Sequence, residues 1–364
     1  MSKINQTPDS SCRRFLFLTR VALVLCLILS PALVLAGQAN IFIYHRFDES
    51  RYPSTNISLD DFQAQLEELK QHNIQVIGLG DLVELLRSGR PLSQDYAVLT
   101  VDDGYRSFLT GAMPLLRKYG YPVTLFVNTD AVGGHGYLDW SELTSLKKEG
   151  VELGNHTASH PHMTDLLVEE STSAWRERLR SDLEKSGKAF QKNLGLTPEL
   201  FAYPYGEYSP EVQALVRELG FKAAMAQQSG VVDTGADLFA LPRFPMGGPY
   251  TGIDQFRSKL QMHPLQVARL GPATTLVSDR NPPLLELRID PALIDLKRLS
   301  CYVSGQDQAD ISIIDAETGH IQVQAQSPLQ GRRSKYTLTA PGKTGGWYWF
   351  SQLWIRPEIE EGGY

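Results

Sequence analysis

The sequence predicts an α/β fold built on a mostly parallel sheet, followed by a smaller all-β domain. Three observations carry this reading. Short apolar runs alternate with amphipathic helical patterns from residue 41 to about 265, a Gly/Pro-rich stretch interrupts them near 270, and short alternating runs follow without helical periodicity. A chain of 364 residues has room for both units, because one hydrophobic core rarely grows beyond roughly 250–300 residues.

The first 36 residues read as an export signal. Arg13, Arg14 and Arg20 precede an apolar run over residues 21–35, and Ala36 ends it with the small residue that a signal peptidase requires. The run is shorter than the ~20 residues of a spanning helix, so no stable membrane span is expected after cleavage. The expected location is the periplasm, the cell envelope or the medium. Cleavage removes Cys12 and Cys26 and leaves Cys301 alone, which excludes a disulfide framework. It also removes Lys3, Asp9, Arg13, Arg14 and Arg20, taking the net charge from −6 to −9. A nucleic-acid partner, which needs clustered Lys and Arg, is not expected.

The elements follow in order. Residues 41–44 read as a strand, and Leu59, Phe62, Leu66 and Leu69 recur at helical spacing. Apolar runs at 74–79, 97–101 and 123–127 read as strands, with a helix around 114–118. Trp140, Leu143 and Leu146 mark a helix, 151–153 a strand and 179–190 a further helix. A strand from Leu200, a helix over 212–219 and a strand at 222–226 complete the series. Residues 269–283, with Gly271-Pro272 and Pro282-Pro283, read as a linker between a first domain at 37–268 and a second at 284–364. In the second, six runs at 284–289, 299–303, 311–314, 321–325, 336–339 and 347–355 suggest an antiparallel sandwich.

Polar residues cluster where the expected strands end. Tyr44-His45 ends the first, Asp102-Asp103-Gly104 the run at 97–101, His156-Thr157-Ala158-Ser159-His160 the run at 151–153, and Tyr203-Pro204-Tyr205-Gly206 the strand from Leu200. In a parallel barrel these ends open on one face. Asp-Asp-Gly alone is ordinarily a turn, but here two imidazoles four residues apart reach the same face. Two imidazoles and a carboxylate make a three-ligand metal site with open positions, as catalytic metals require. A second, adjacent carboxylate suits the proton of a metal-activated water.

Thr100-Val101-Asp102-Asp103-Gly104 resembles the T-F-D-D-G signature of polysaccharide deacetylases of the NodB-homology type (carbohydrate esterase family 4). His156 to His160 resembles their H-S/T-x-x-H, and Phe201 to Gly206 resembles a third motif, R-x-P-Y-G. Ile43-Tyr44-His45 and the segment from Pro53 to Phe62 are similar to the branch acting on exopolysaccharides such as poly-β-1,6-N-acetylglucosamine. The resemblance spans about residues 40–265. It implies a distorted (β/α)7 barrel, Asp102 as general base, and Asp103, His156 and His160 as ligands of a divalent ion, usually Zn2+, with Co2+ or Ni2+ as alternatives. It further implies a Tyr205 backbone N–H in the oxyanion hole, and it assigns Tyr203 and Pro204 to substrate contact.

The sequence also departs from the pattern. Ala202 occupies the position of the motif's arginine, and Arg243 is placed to compensate from another strand end and to meet substrate. His263 in Leu260-Gln261-Met262-His263 matches the family's catalytic histidine only superficially, since the segment continues a helical pattern from Phe256. His45 is the alternative proton donor. Trp347 and Trp349 share one strand face and suit a pyranose ring, with core packing as the alternative. Arg332, Arg333 and Lys335 read as a solvated face, and His162 as a surface residue. The expected function is metal-dependent removal of N-acetyl groups from an exported polysaccharide, with that glycan and its export machinery as partners. An O-acetyl esterase using the same site and a non-catalytic glycan-binding component are the competing readings. The acidic balance suits a neutral glycan that becomes cationic as acetyl groups leave.

Overall fold

Strand β1 (Ala39–Tyr44) is buried at every position, as a parallel strand covered on both faces must be. Helix α1 (Leu59–Gln71) starts where the Ser58 side chain accepts the Asp61 N–H, and it turns Phe62, Leu66 and Leu69 into the core. Then come β2 (Gln75–Val76), α2 (Leu79–Arg87), β3 (Tyr96–Val101), α3 (Met113–Tyr119) and β4 (Thr124–Val127). Helix α4 (Trp140–Lys148) opens with a capping box between Asp139 and Glu142. It leads to β5 (Glu152–Asn155), α5 (Thr172–Leu194), β6 (Leu200–Ala202) and α6 (Pro210–Glu218), the last capped by Ser209 with Pro210 in its first turn. Strands β7 (Ala223–Met225) and β8 (Phe244–Pro245) and helix α7 (Ile253–Leu260) end the α/β region.

The computed structural model describes residues 37–278 and 280–361, so the expected export signal lies outside the described residues. Among them, no helix is long and apolar enough to cross a membrane. The strands form one eight-stranded sheet in the order β8-β1-β3-β4-β5-β6-β7, with β2 added on β3. Every pairing is parallel, and the sheet curls into a distorted barrel. Register brings the strand ends to one side of the sheet, with Val101 level with Leu125 and Leu153, just short of the end of β5. Tyr44 pairs with Val101, Val127 with Asn155, Asn155 with Phe201 and Ala202 with Met225. The residues that follow each of these positions therefore share one rim.

The β region contains two four-stranded sheets. One comprises β9 (Met262–Pro264), β12 (Ser300–Val303), β15 (Arg333–Pro341) and β16 (Trp347–Ile355), in the order β9-β16-β15-β12. The other comprises β10 (Val267–Gly271), β11 (Leu284–Ile289), β13 (Ala309–Asp315) and β14 (His320–Ala325), in the order β10-β11-β14-β13. Leu285, Leu287, Ile289, Ile321, Val323, Tyr336, Leu338 and Trp354 fill their shared core. Two strands thus precede the point where the sequence suggests a sandwich. The helical pattern from Phe256 does not run on to His263: α7 stops at Leu260, and residues 262–264 pair with β16 instead. Pro264 explains this, since the residue before a proline is driven out of helical geometry. The stretch read as a linker likewise begins within a strand, because β10 extends to Gly271.

Candidate active site

Three side chains converge on the strand-end rim. Asp103 Oδ1 lies 3.3 Å from His156 Nε2 and 3.4 Å from His160 Nε2, and the two Nε2 atoms are 3.2 Å apart. Among the described residues, this trio is the group whose ligand atoms could hold a metal ion, all within 4.8 Å of one another. The donor set fits a divalent cation. His156 Nδ1 donates to the Ala202 carbonyl at 2.8 Å, which leaves the Nε2 lone pair facing inward. Burial alone would raise the Asp103 carboxyl, but the two imidazoles overcome it and hold the group well below the usual carboxylate range.

Unusual backbone geometry builds the cluster. Asp103, Thr157, His160 and Tyr205 all have positive φ, four of the seven non-glycine residues that do among the described residues. Such conformations persist only where surrounding contacts over-determine them. Here the Asp182 carboxylate accepts the Ala158 and Ser159 N–H groups, and Asn155 Oδ1 accepts the Thr157 N–H. Asp182 lies on α5, so a helix far along the chain pins the loop between the two histidines.

Asp102 is fully buried beside this trio, with Oδ2 4.0 Å from His156 Nε2. Arg243 closes on it in a two-pronged contact, Nη1 to Oδ1 and Nη2 to Oδ2, each 2.7 Å. The guanidinium is itself fixed, donating from Nε to the Ala226 carbonyl and from Nη1 to Thr100 Oγ1. Burial pushes the Asp102 carboxyl up, while Arg243, His156 and His45 more than offset this and keep it below its ordinary value. Arg243 is fully buried and committed to Asp102, so it does not face substrate. His45, half-buried at the end of β1, sits in the field of Asp103 and Asp102; burial nonetheless lowers its imidazole below the usual range.

The loop from Tyr203 to Glu207 makes the neighbouring wall. Gly206 has φ +69°, and an added Cβ would come within 2.6 Å of the Gln227 backbone nitrogen, so only glycine fits there. Tyr205 is half-buried, its ring centroid 4.6 Å from that of His160 and 3.9 Å from that of His162, with which it stacks. Tyr203 and Pro204 lie on the inner side of the loop. Both are buried, and the Tyr203 hydroxyl donates to the Phe239 carbonyl, so neither presents a surface to a glycan.

Three residues read as surface are instead part of this wall. Glu207 is fully buried and accepts from His162 Nδ1 at 3.0 Å, from Arg332 Nε at 2.8 Å and from Arg333 Nη1 at 2.9 Å. Arg332 also bonds Asp165, and Arg333 also bonds Glu361. Burial lowers His162, but Glu207 and Glu361 more than compensate and push it up to about 9. Burial raises Glu207, yet His162 and Arg332 carry it down to about 2. The β region therefore braces the loop that carries Tyr205. A run such as Arg332-Arg333 gives no local sign of a carboxylate 125 positions away.

The remaining candidates lie apart from the cluster. His263 Nδ1 is 3.0 Å from Gln38 Oε1, just ahead of β1, whereas His45 follows that strand's other end. Six residues of strand at ~3.3 Å each separate them. Trp347 is half-exposed on β16, paired with Met262. Trp349 packs on Phe244, and its indole N–H donates to the Ser229 carbonyl and Ser351 Oγ. Trp349 and Tyr205 line one cavity of about 490 Å³ between the barrel and the β region.

Comparison with known proteins places this geometry. Residues 89–224 match the family model for polysaccharide deacetylase. The poly-β-1,6-N-acetyl-D-glucosamine N-deacetylase of Escherichia coli strain K12 is 25% identical over 230 residues, covering 54% of this chain and 34% of its own length. The chain thus spans about a third of that relative. The enzyme of the same name from Staphylococcus aureus strain MRSA252 is 24% identical over 214 residues, 57% of this chain and 73% of that one. In fold, a Streptococcus pyogenes deacetylase solved in complex with acetate superposes with a TM-score of 0.55 at 19% identity, over 62% of this chain and 99% of that one. The matched segment carries Asp102, Asp103, His156, His160 and Tyr205, so over residues 89–224 this chain is similar to the polysaccharide deacetylases in sequence, and in fold it resembles a solved member.

Proposed function

We propose that the chain is a metal-dependent hydrolase that removes N-acetyl groups from an exported polysaccharide of the poly-N-acetylglucosamine kind. The observation that carries this is the convergence of Asp103, His156 and His160 beside a buried Asp102 held by Arg243. The names of the E. coli and S. aureus relatives point to the amide and the sugar, and the apolar run before Ala36 supports export.

Asp103, His156 and His160 would hold the ion, with zinc the first choice for two imidazoles and a carboxylate and cobalt or nickel as substitutes. When bound, the ion supplies a Lewis acid for the acetyl carbonyl and a water acidic enough to ionise near neutral pH. Asp102, whose Oδ2 lies 4.0 Å from His156 Nε2, would accept the proton of the attacking water. Arg243 keeps Asp102 ionised and aimed through its two-pronged contact. His45, held neutral by burial, relays the proton to the leaving nitrogen. The Tyr205 N–H would serve the oxyanion, the role that the motif resemblance implies. The products are acetate and a free amine.

The test is acetate release by the full chain from oligomers of β-1,6-linked N-acetylglucosamine. Release is expected, with loss on chelation and return on adding zinc or cobalt. A fully metallated protein that frees no acetate from any acetylated glycan overturns the assignment, and a new hydroxyl without a new amine redirects it to ester hydrolysis.

A further inference from the structure

The cavity of about 490 Å³ beside the cluster lies within the ~300–1,000 Å³ range of small-ligand sites. Tyr205 forms a wall common to both, so the cavity opens next to the position where an acetamide would be cleaved. Its charge is the reverse of the molecule's. The whole chain carries −6, yet Lys259, Arg333 and Lys335 line the cavity and no Asp or Glu does.

The three cations are not equivalent. Arg333 is answered by Glu207 and Glu361. Lys259 is 7% exposed on α7, and its ammonium donates only to the Gln255 carbonyl among the described residues. Lys335, half-buried on β15, donates to the Gln227 carbonyl at 2.8 Å. Neither lysine has a carboxylate within 4.0 Å among the described residues. Buried ammonium groups without a counter-charge are rare because desolvation penalises them. Burial lowers both, each to about 8, consistent with two cations that lack an anion. Flat faces complete the cavity: Tyr250 lies under the Lys259 ammonium at 5.6 Å from ring centre, and Trp349 is fixed by its two indole hydrogen bonds.

We propose that this cavity is a subsite for an anionic sugar unit, and that the substrate is an acetylated glycan carrying a carboxylate or phosphate close to the acetamide that is cleaved. Lys259 and Lys335 receive the anion, while Trp349 and Tyr250 receive the ring. The proposal rests on the deacetylase reading and changes its substrate, from an unsubstituted poly-N-acetylglucosamine to an N-acetylated glycan that also carries anionic units. It also reverses the sequence-based expectation of a neutral glycan, because the local field of the site differs in sign from the net charge.

The test measures binding of the full chain to a hyaluronan hexasaccharide, in which N-acetylglucosamine alternates with glucuronate, and to the same oligomer with its carboxyls reduced to alcohols. An N-acetylglucosamine oligomer bearing 6-phosphates distinguishes phosphate from carboxylate as the natural anion. The anionic oligomer is expected to bind about tenfold more tightly than its reduced form at low salt, with the advantage shrinking as salt screens the pair. Lys259→Met and Lys335→Met together should bring that ratio close to one, and Lys335→Gln, which keeps a donor for Gln227, should lower it partway. The salt titration on the unaltered protein is independent of how the variants fold. Equal binding of all three oligomers, salt-independent binding, or no anionic oligomer bound up to millimolar concentration overturns the proposal. Acetate release, scored separately, tests the underlying reading: release from neutral oligomers without charge preference removes the subsite alone, and charge-selective binding without acetate from any glycan removes the deacetylase alone.

Discussion

The rim of the barrel and the face that the β region presents to it build the same site by different means. On the rim, each functional residue follows a strand end, so position in the sheet does the placing: register pairs Tyr44 with Val101 and Asn155 with Phe201, and Asp102, Asp103 and His156 come just after β3 and β5 end. On the β face, placement depends on charge pairing across long stretches of chain, with Glu207 held by Arg332 and Arg333. The contrast teaches that the chemistry is local and the positioning is not. The first should fail abruptly when a single residue changes, and the second by degrees.

The largest effects belong to the rim. His156→Ala removes an imidazole whose Nδ1 is already committed to Ala202, and it should abolish both metal retention and acetate release. Asp102→Asn should retain the metal and still lose turnover by on the order of 10²–10⁴. Metal content by atomic absorption, measured beside acetate release, separates the two; full activity in Asp102→Asn would falsify the assignment of the base. Replacing Arg243 with Met tests the link between rim and interior. It leaves a buried carboxylate without its partner, for which about 3–5 kcal/mol of destabilisation is expected, and urea unfolding reads it. Arg243→Lys should recover only part, since an ammonium cannot make the two-pronged contact.

That contrast also explains which parts of the molecule are legible in its sequence. The proposed metal trio and the proposed base lie in two short segments, each after an apolar run, and elementary strand patterning brings them to one face. Arg243 is marked only by the gap that Ala202 leaves at the motif position, and its bond to Asp102 spans 141 positions. Arg332, Arg333 and His162 read as surface for a physical reason. A charged pair on a strand looks solvated unless its counter-charge is visible, and Glu207 lies in a loop of the α/β region, 125 positions away. The same limit applies to Tyr203 and Pro204, which motif logic turns towards substrate but which the turn at Tyr205 leaves inside. Strand β9 is hidden because three residues ending in Pro264 carry too little alternation to outweigh the helical pattern before them.

A smaller effect should come from the braced wall. Glu207 has its folded value depressed to about 2 against an ordinary 4.5. A depressed carboxylate contributes stability that is fully present above the unfolded value and is lost as pH falls through the folded one. The stability difference between the unaltered chain and Glu207→Gln should therefore be constant above roughly pH 5.5 and shrink as pH drops below about 4.5 towards 2. Urea midpoints measured across that range check the sign. A difference that grew on acidification would mean that Glu207 is not the anion that Arg332 and Arg333 hold.

The smallest effect should come from His263, and it sharpens the comparison most. Motif logic offers two histidines for the leaving nitrogen, His45 and His263, and the sheet separates them along the length of β1. His263 contacts Gln38 and packs against Tyr348, so its work is to seat β9 against the barrel. His263→Asn retains a hydrogen-bonding side chain beside Gln38 and should leave acetate release within about twofold, whereas His45→Asn should reduce it by roughly 10² or more. The pH profile separates chemistry from seating: loss of a proton-transfer group changes its shape, while a loosened β9 lowers activity uniformly and shows as reduced thermal stability. If His263→Asn alters the shape of the profile and His45→Asn does not, proton delivery comes from the β region, and the division between local chemistry and distant positioning fails at its central step.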